Sequence, residues 1–313
     1  LQAGFTGVVL RRFGFLNKRR GEVGLEVGSA HLALACSKMT PAGMRIVRTV
    51  NQVCLAAQRP GLLASWVAEL GLQKHDCHLV LTPDAYQVIQ LERPAVPESE
   101  LREAARWRVK DMLEYAVDDA VIDCFAVPED ALRGRMAQVS VVCARKSILL
   151  ELNQLVESSG LYLKSVDITE LAVRNLLLDR DGNAGMKCVL LLTAEGGLIL
   201  LLKQNSVYLS RKLEKGRFKL GPDMDVYSGS QLIALEIQRS FDYLESQLAQ
   251  APPGTIHLAA DFFEAELAER LAEELGVGVA SLSDFGLQAE VQRHISAHEW
   301  VACGAALRRN LAT

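Results

Sequence analysis

The chain has 313 residues, a net charge of −4, 50% apolar residues and only 6% aromatics. That balance is too apolar for a disordered or collagen-like chain and gives no bulk positive charge for nucleic acid, while the length suggests roughly two domains of about 150 residues. Seven cysteines, at positions 36, 54, 77, 124, 143, 188 and 303, form no C-x-x-C pair and sit mostly in apolar runs, which predicts small reduced core residues of a cytoplasmic protein rather than disulfides or structural zinc.

Residues 1–21 form a basic leader in which Arg11, Arg12, Lys18, Arg19 and Arg20 alternate with Phe13, Phe15 and Leu16. A solvated flexible segment is one reading. Contact with anionic lipid, at about 1 kcal/mol per basic residue, is the other. Periodicity then predicts strands over 22–27, 31–37 and 44–51, with a tight turn at Gly28-Ser29, a helix over 61–70, and strands over 77–81 and 86–91. A link punctuated by Pro94 and Pro97 leads into a helix over 98–113. Strands over 120–127 and 137–144, a helix over 146–158, a strand over 161–167 and a helix over 169–178 follow.

The polar, Gly-rich loop at 179–185 marks a boundary, and beyond it the order restarts. Strands are predicted over 188–192, 197–202 and 206–213, then a long helix over 230–249. A strand at 255–258, a helix at 262–275, a strand at 276–282 and a helix at 298–308 close the chain. The apolar run from Cys188 to Leu202 is interrupted by Glu195-Gly196-Gly197 and is shorter than the roughly 20 residues of a membrane span, so it predicts a buried hairpin. The chain thus divides into halves at 22–183 and 184–313, each a three-strand meander followed by crossover helices, with an extra block at about 92–137 in the first. Such halves build mixed α/β sheets around a cleft, with the turn after each first strand facing it.

Gly28 allows positive φ and close backbone approach, Ser29 adds a hydroxyl, and Glu26 offers a carboxylate for a divalent ion, so this turn suits a phosphate as well as an ordinary hairpin. In the second turn, Thr193, Gly196 and Gly197 surround Glu195, whose carboxylate would oppose a phosphate about 4 Å away by on the order of 4 kcal/mol. Gly304, among small residues of the last helix, admits either a flat ring or a neighbouring backbone. His75 and His78 point to opposite faces of a strand, and His294 and His298 share a helix face without a third ligand, so neither pair predicts a metal. There is no P-loop, G-x-G-x-x-G or G-x-S-x-G.

Four segments together resemble the PilM family of type IV pilus assembly proteins, and within it the MshI proteins of MSHA pilus biogenesis. They are Val23-Gly24-Leu25-Glu26-Val27-Gly28-Ser29 behind the basic leader, LREAARWRVKDMLEYAVDDAVIDC at 101–124, ALEIQRSFDYLESQL at 234–248, and Ala302-Cys303-Gly304-Ala305-Ala306-Leu307-Arg308. The resemblance implies an actin-like ATPase fold, two ribonuclease H-like halves with an inserted subdomain. It also implies a place at the cytoplasmic face of the bacterial inner membrane. The inserted subdomain would receive the N-terminal cytoplasmic peptide of a PilN-type membrane protein, alongside other pilus assembly proteins. An ATP and Mg²⁺ site would use Glu26 (also the metal ligand), Gly28, Ser29, Thr193, Gly196, Gly197, Glu236, Arg239 and Gly304.

Two departures stand out. The family's first-strand Asp is Glu26, and its second-strand Asp-x-Gly is Leu191-Leu192-Thr193. The reading is therefore a scaffold that binds ATP with little or no hydrolysis. The alternatives are an active actin-like ATPase and the cytoplasmic domain of a GspL-type secretion protein.

Overall fold

β1 (Val23–Val27) is an apolar run carrying one carboxylate, a composition suited to a strand covered on both faces. The computed structural model describes residues 21–41, 43–131, 136–177, 185–285 and 293–308, and all five residues of β1 are buried. β2 (His31–Thr40) and β3 (Gly43–Val53) continue as an antiparallel meander, and α1 (Arg59–Glu69) crosses over to β4 (Asp76–Leu81), parallel to β1.

The chain then leaves this sheet. β5 (Tyr86–Glu92), β6 (Ala120–Ala126) and β7 (Gln138–Arg145) form a separate antiparallel sheet in the order β5-β7-β6. α2 (Glu98–Val109) covers it through Leu101, Ala105 and Val109, four residues apart on one helix face. The helix tightens into a 3-10 turn at Lys110–Met112, which leaves Met112 54% exposed instead of extending the apolar stripe. α3 (Lys146–Ser158) returns the chain to β8 (Tyr162–Ile168), completing the order β3-β2-β1-β4-β8, and α4 (Thr169–Leu176) follows.

The second sheet repeats the plan. β9 (Lys187–Thr193), β10 (Gly196–Lys203) and β11 (Ser206–Glu214) form the meander. After α5 (Lys215–Phe218) and α6 (Val226–Leu248) come β12 (Thr255–Ala260), α7 (Glu264–Leu275) and β13 (Gly278–Ser281), giving β11-β10-β9-β12-β13. The run from Cys188 to Leu202 is thus the central hairpin of a core, and among the described residues no helix is long and apolar enough to cross a membrane. All seven cysteines are free and six are buried. The excursion between β4 and β8 starts at Tyr86 and ends at Arg145, so it includes strands on either side of 92–137. Apart from Gly21, the basic leader lies outside the described residues, as does all of the 179–185 loop except Gly185.

α4 and the last helix, α8 (Ala297–Ala306), lie between the sheets. There Ala33, Ala35 and Val80 of the first sheet and Val189, Leu191, Leu200 and Ala259 of the second share one apolar core. All ten residues of α8 are buried. At the two closest approaches no side chain fits, because a Cβ on Gly24 of β1 would lie 1.9 Å from the Ala302 carbonyl oxygen, and one on Gly304 would lie 2.0 Å from that of Ala172 in α4. Each buried Val or Leu contributes about 1.5–3 kcal/mol, so this core dominates the association of the halves.

A second bridge comes from the segment after β6. Val127 and Ala131 pack into the core of the second half, and Asp130 accepts from Tyr208 (2.5 Å) and Lys203 (3.0 Å).

Candidate functional site

Strand alternation decides where Glu26 points. Its cross-strand neighbours, Ala33 and Val80, belong to the core between the halves, so its side chain faces the second half while Leu25 and Val27 face the other way. His31 lies two residues before Ala33 on β2 and points to the same side. The start of α8 supplies the opposing group. Ser296 and Glu299 form a reciprocal capping box, Arg293 pairs with Glu299, and the Ala297 N–H donates to Asp261 Oδ1 at 2.7 Å. These contacts fix the first turn of α8 and with it His298.

The result is a row of alternating carboxylates and imidazoles across the cleft. His31 Nε2 donates to Glu26 Oε2 at 3.3 Å, and His298 Nδ1 donates to the same oxygen at 3.1 Å. The two rings stack, with centroids 3.3 Å apart and planes 25° from parallel. On the far side, His298 Nε2 lies 3.5 Å from Asp261 Oδ2. From the second turn, Glu195 Oε2 reaches His31 Nδ1 at 3.2 Å, as an ion pair off the line of a hydrogen bond, while Oε1 accepts the Ala30 N–H at 2.7 Å. The turns after β1 and β9 are therefore in direct contact.

The charges follow from this packing. Burial opposes the imidazolium form of His31, but the Glu195 and Glu26 carboxylates outweigh it and raise its pKa from 6.5 to about 9. Burial likewise pushes the Glu195 carboxyl up, yet His31, the Ala30 N–H and Ser29 hold it down at about 2. Glu26 behaves in the same way: burial raises it, and His298 with His31 carry it below its ordinary range. Asp261 goes the other way, raised by burial despite the nearby His298.

Glu26, His31 and His298 each offer a ligand atom, all within 4.8 Å of one another. A ligating imidazole holds its ion in the ring plane at about 2.0–2.1 Å, whereas here both ring nitrogens lie at hydrogen-bond distance, 3.3 and 3.1 Å, from a single Glu26 oxygen. One carboxylate oxygen between two N–H groups matches the arrangement better.

Of the residues expected at a nucleotide site, Gly28 and Ser29 meet Glu195 of the second turn, the Gly28 N–H donates to the His31 carbonyl, and Glu26 is taken up by His31 and His298. Gly28 does not have positive φ. Its missing side chain makes room for the His31 ring, since a Cβ there would sit 1.9 Å from Cε1 and 2.8 Å from Glu195 Oε2. In the second turn, Thr193 Oγ1 accepts from the N–H groups of Glu195 and Gly196, both at 3.2 Å, and donates to the Gly196 carbonyl at 3.0 Å. Gly197 is crowded by Leu192, Leu191 and Leu213. Glu236 and Arg239 on α6 belong to a separate cluster in which one buried carboxylate accepts from Arg239 (2.6 Å), Arg211 (2.8 Å) and Arg217 (2.8 Å). Gly304 meets the backbone of α4, the second of the two readings its sequence allows.

The residues present thus do not fit the phosphates and metal ion of a nucleotide. His31 and Asp261 carry no sequence signal as site residues, and His298 pairs in sequence with His294, which stays exposed. The one local signal was the Ser-x-x-Glu capping box that starts α8.

No protein-family model matches the chain, and no curated protein matches it by sequence. Among solved structures, a PilM–PilN type IV pilus biogenesis complex is similar over 92% of this chain and 98% of that one, at 20% identity and a TM-score of 0.71. The cytoplasmic domain of EpsL, an inner-membrane component of the type II secretion system of Vibrio cholerae, is similar over 92% of this chain and 95% of that one, at 10% identity and a TM-score of 0.53. With two sheets of matching strand order, a separate inserted sheet and these likenesses over nearly the whole chain, the protein has the actin-like ATPase fold.

Proposed function

We propose that the chain is a scaffold of a type IV pilus assembly machine that docks the N-terminal peptide of a PilN-type inner-membrane protein. The observation that carries this reading is the likeness to a PilM–PilN complex over almost the full length of both chains. The MSHA-type assignment rests on the resemblance of the 101–124 segment to MshI proteins, and a position at the cytoplasmic face of the inner membrane goes with it. Other pilus assembly proteins would meet the same scaffold. ATP binding with little hydrolysis, also implied by the resemblance, is not part of this proposal, because N–H groups of both turns are committed to the chain's own side chains.

The candidate docking surface is the outer face of α2. Trp107 is 66% exposed there, inside the motif that carries the MshI resemblance, and Met112 lies at the end of the same helix. Exposed aromatics of this size are frequent anchors in interfaces. Trp66 and Trp300 are buried, so a change in indole emission on peptide binding reports mainly on Trp107. Titration with a PilN-type N-terminal peptide is expected to shift that emission. Trp107→Ala, or charge reversal at Glu100 and Lys110, is expected to weaken binding roughly tenfold, followed by calorimetry for the Trp variant. Unchanged affinity across these variants would remove this surface. The EpsL likeness supports a second reading, a GspL-type secretion scaffold, which a GspL-system partner peptide binding more tightly than the PilN-type peptide would favour.

A further inference from the structure

We infer that Glu195 is a tethered anion that fills the phosphate turn of the first half, so that the halves are held closed by the chain's own carboxylate and no nucleotide is needed. Glu195 Oε1 takes the Ala30 N–H at 2.7 Å, the group a phosphate oxygen would need, and Oε2 lies 3.2 Å from His31 Nδ1. The space opened by Gly28 is filled by the His31 ring and by Glu195 itself. The Glu26 carboxylate, 2% exposed, is held by two imidazoles on a single oxygen. The second turn caps its own N–H groups with Thr193.

The Ala30 N–H, the Glu195 and Gly196 N–H groups and the Glu26 carboxylate therefore already have internal partners. The partner at the first turn carries the charge type of the missing ligand. An entering polyphosphate would have to displace Glu195 and bring added negative charge beside the buried Glu26 carboxylate. The same geometry makes the first turn a latent site for a small oxyanion, built from the Ala30 N–H, His31 and Ser29, once the tethered carboxylate is gone. This inference does not rest on peptide docking, and failure of a peptide to bind leaves it standing.

The test compares the unmodified chain with Glu195→Gly, using Mg-ATP, Mg-ADP and inorganic phosphate as probes. In the unmodified chain, the Gly28, Ala30 and Gly196 amide resonances are expected to stay in place at about 1 mM of each probe, the concentration at which a millimolar site is half filled. In Glu195→Gly, inorganic phosphate is expected to move the Ala30 resonance and raise the melting temperature. Saturable binding of Mg-ATP to the unmodified chain, with those amides shifting, would overturn the inference, as would a folded Glu195→Gly that ignores phosphate. Should the variant not fold, hydrogen exchange of the Ala30 amide in the unmodified, nucleotide-free chain decides. Protection is expected, and free exchange overturns.

Discussion

Gly304→Ala is expected to destabilise the protein by roughly 3 kcal/mol or more, although alanine is the better helix former by about 1 kcal/mol. The added Cβ would sit 2.0 Å from the Ala172 carbonyl oxygen and 2.6 Å from its carbon. Both atoms are backbone, so relief requires α8 and α4 to separate. Because α8 is buried along its whole length between the two sheets, that movement opens the apolar core shared by the halves. Gly61 in α1 serves as the control: nothing lies within 4 Å of its added Cβ, and Gly61→Ala is expected to be neutral or stabilising by about 0.5–1 kcal/mol. Urea unfolding of both variants measures the contrast, with a lower midpoint expected only for Gly304→Ala. Equal midpoints would mean that the close approach of the two helices is not a constraint of the fold.

His31→Ala is expected to cost a comparable amount, about 3 kcal/mol near pH 6, because it removes the cation between the Glu26 and Glu195 carboxylates and leaves His298 as the one imidazole on the buried Glu26. The contribution depends on pH in a defined way. The pKa of His31 is raised from 6.5 to about 9, so its stabilisation is fully present below about 6.5 and is lost as pH rises through about 9. Glu195 is lowered from 4.5 to about 2, so its stabilisation is present above about 4.5 and is lost as pH falls through about 2. Both are complete between about pH 4.5 and 6.5. The stability difference between the unmodified chain and His31→Ala is expected to shrink steadily from pH 6.5 to 9. A difference that stays flat over that range would mean the ring is not held as a cation.

The order of the elements was legible because each has a strong local signal. The β9–β10 hairpin shows as two apolar arms around Glu195-Gly196-Gly197, and α2 shows as Leu101, Ala105 and Val109 at helical spacing behind Pro97. What alternation does not carry is sheet membership: β5 and β7 read as strands from sequence, but their hydrogen bonds go to each other and not to β4. The site was legible only on one side. Glu26 and Gly28 stand out in the sequence, and Glu195 reads there as a charge that opposes phosphate. Its partners, Ala30 and His31, are 165 and 164 residues away, and His298 is 272 residues from Glu26, separations at which no periodicity reports contact. Gly28 reads in sequence as room for close approach to a phosphate; in the fold that room is taken by the His31 side chain of the same hairpin.

A scaffold whose cleft is closed by its own side chains should bind its partner in the same way whether or not nucleotide is present. The most direct measurement is a calorimetric titration of a PilN-type N-terminal peptide into the unmodified chain, repeated in the presence of excess Mg-ATP. Saturable binding is expected in both, with dissociation constants agreeing to within about twofold, less than about 0.4 kcal/mol. Peptide binding that appears only with Mg-ATP, or that Mg-ATP abolishes, would contradict it, as would the absence of peptide binding in either condition.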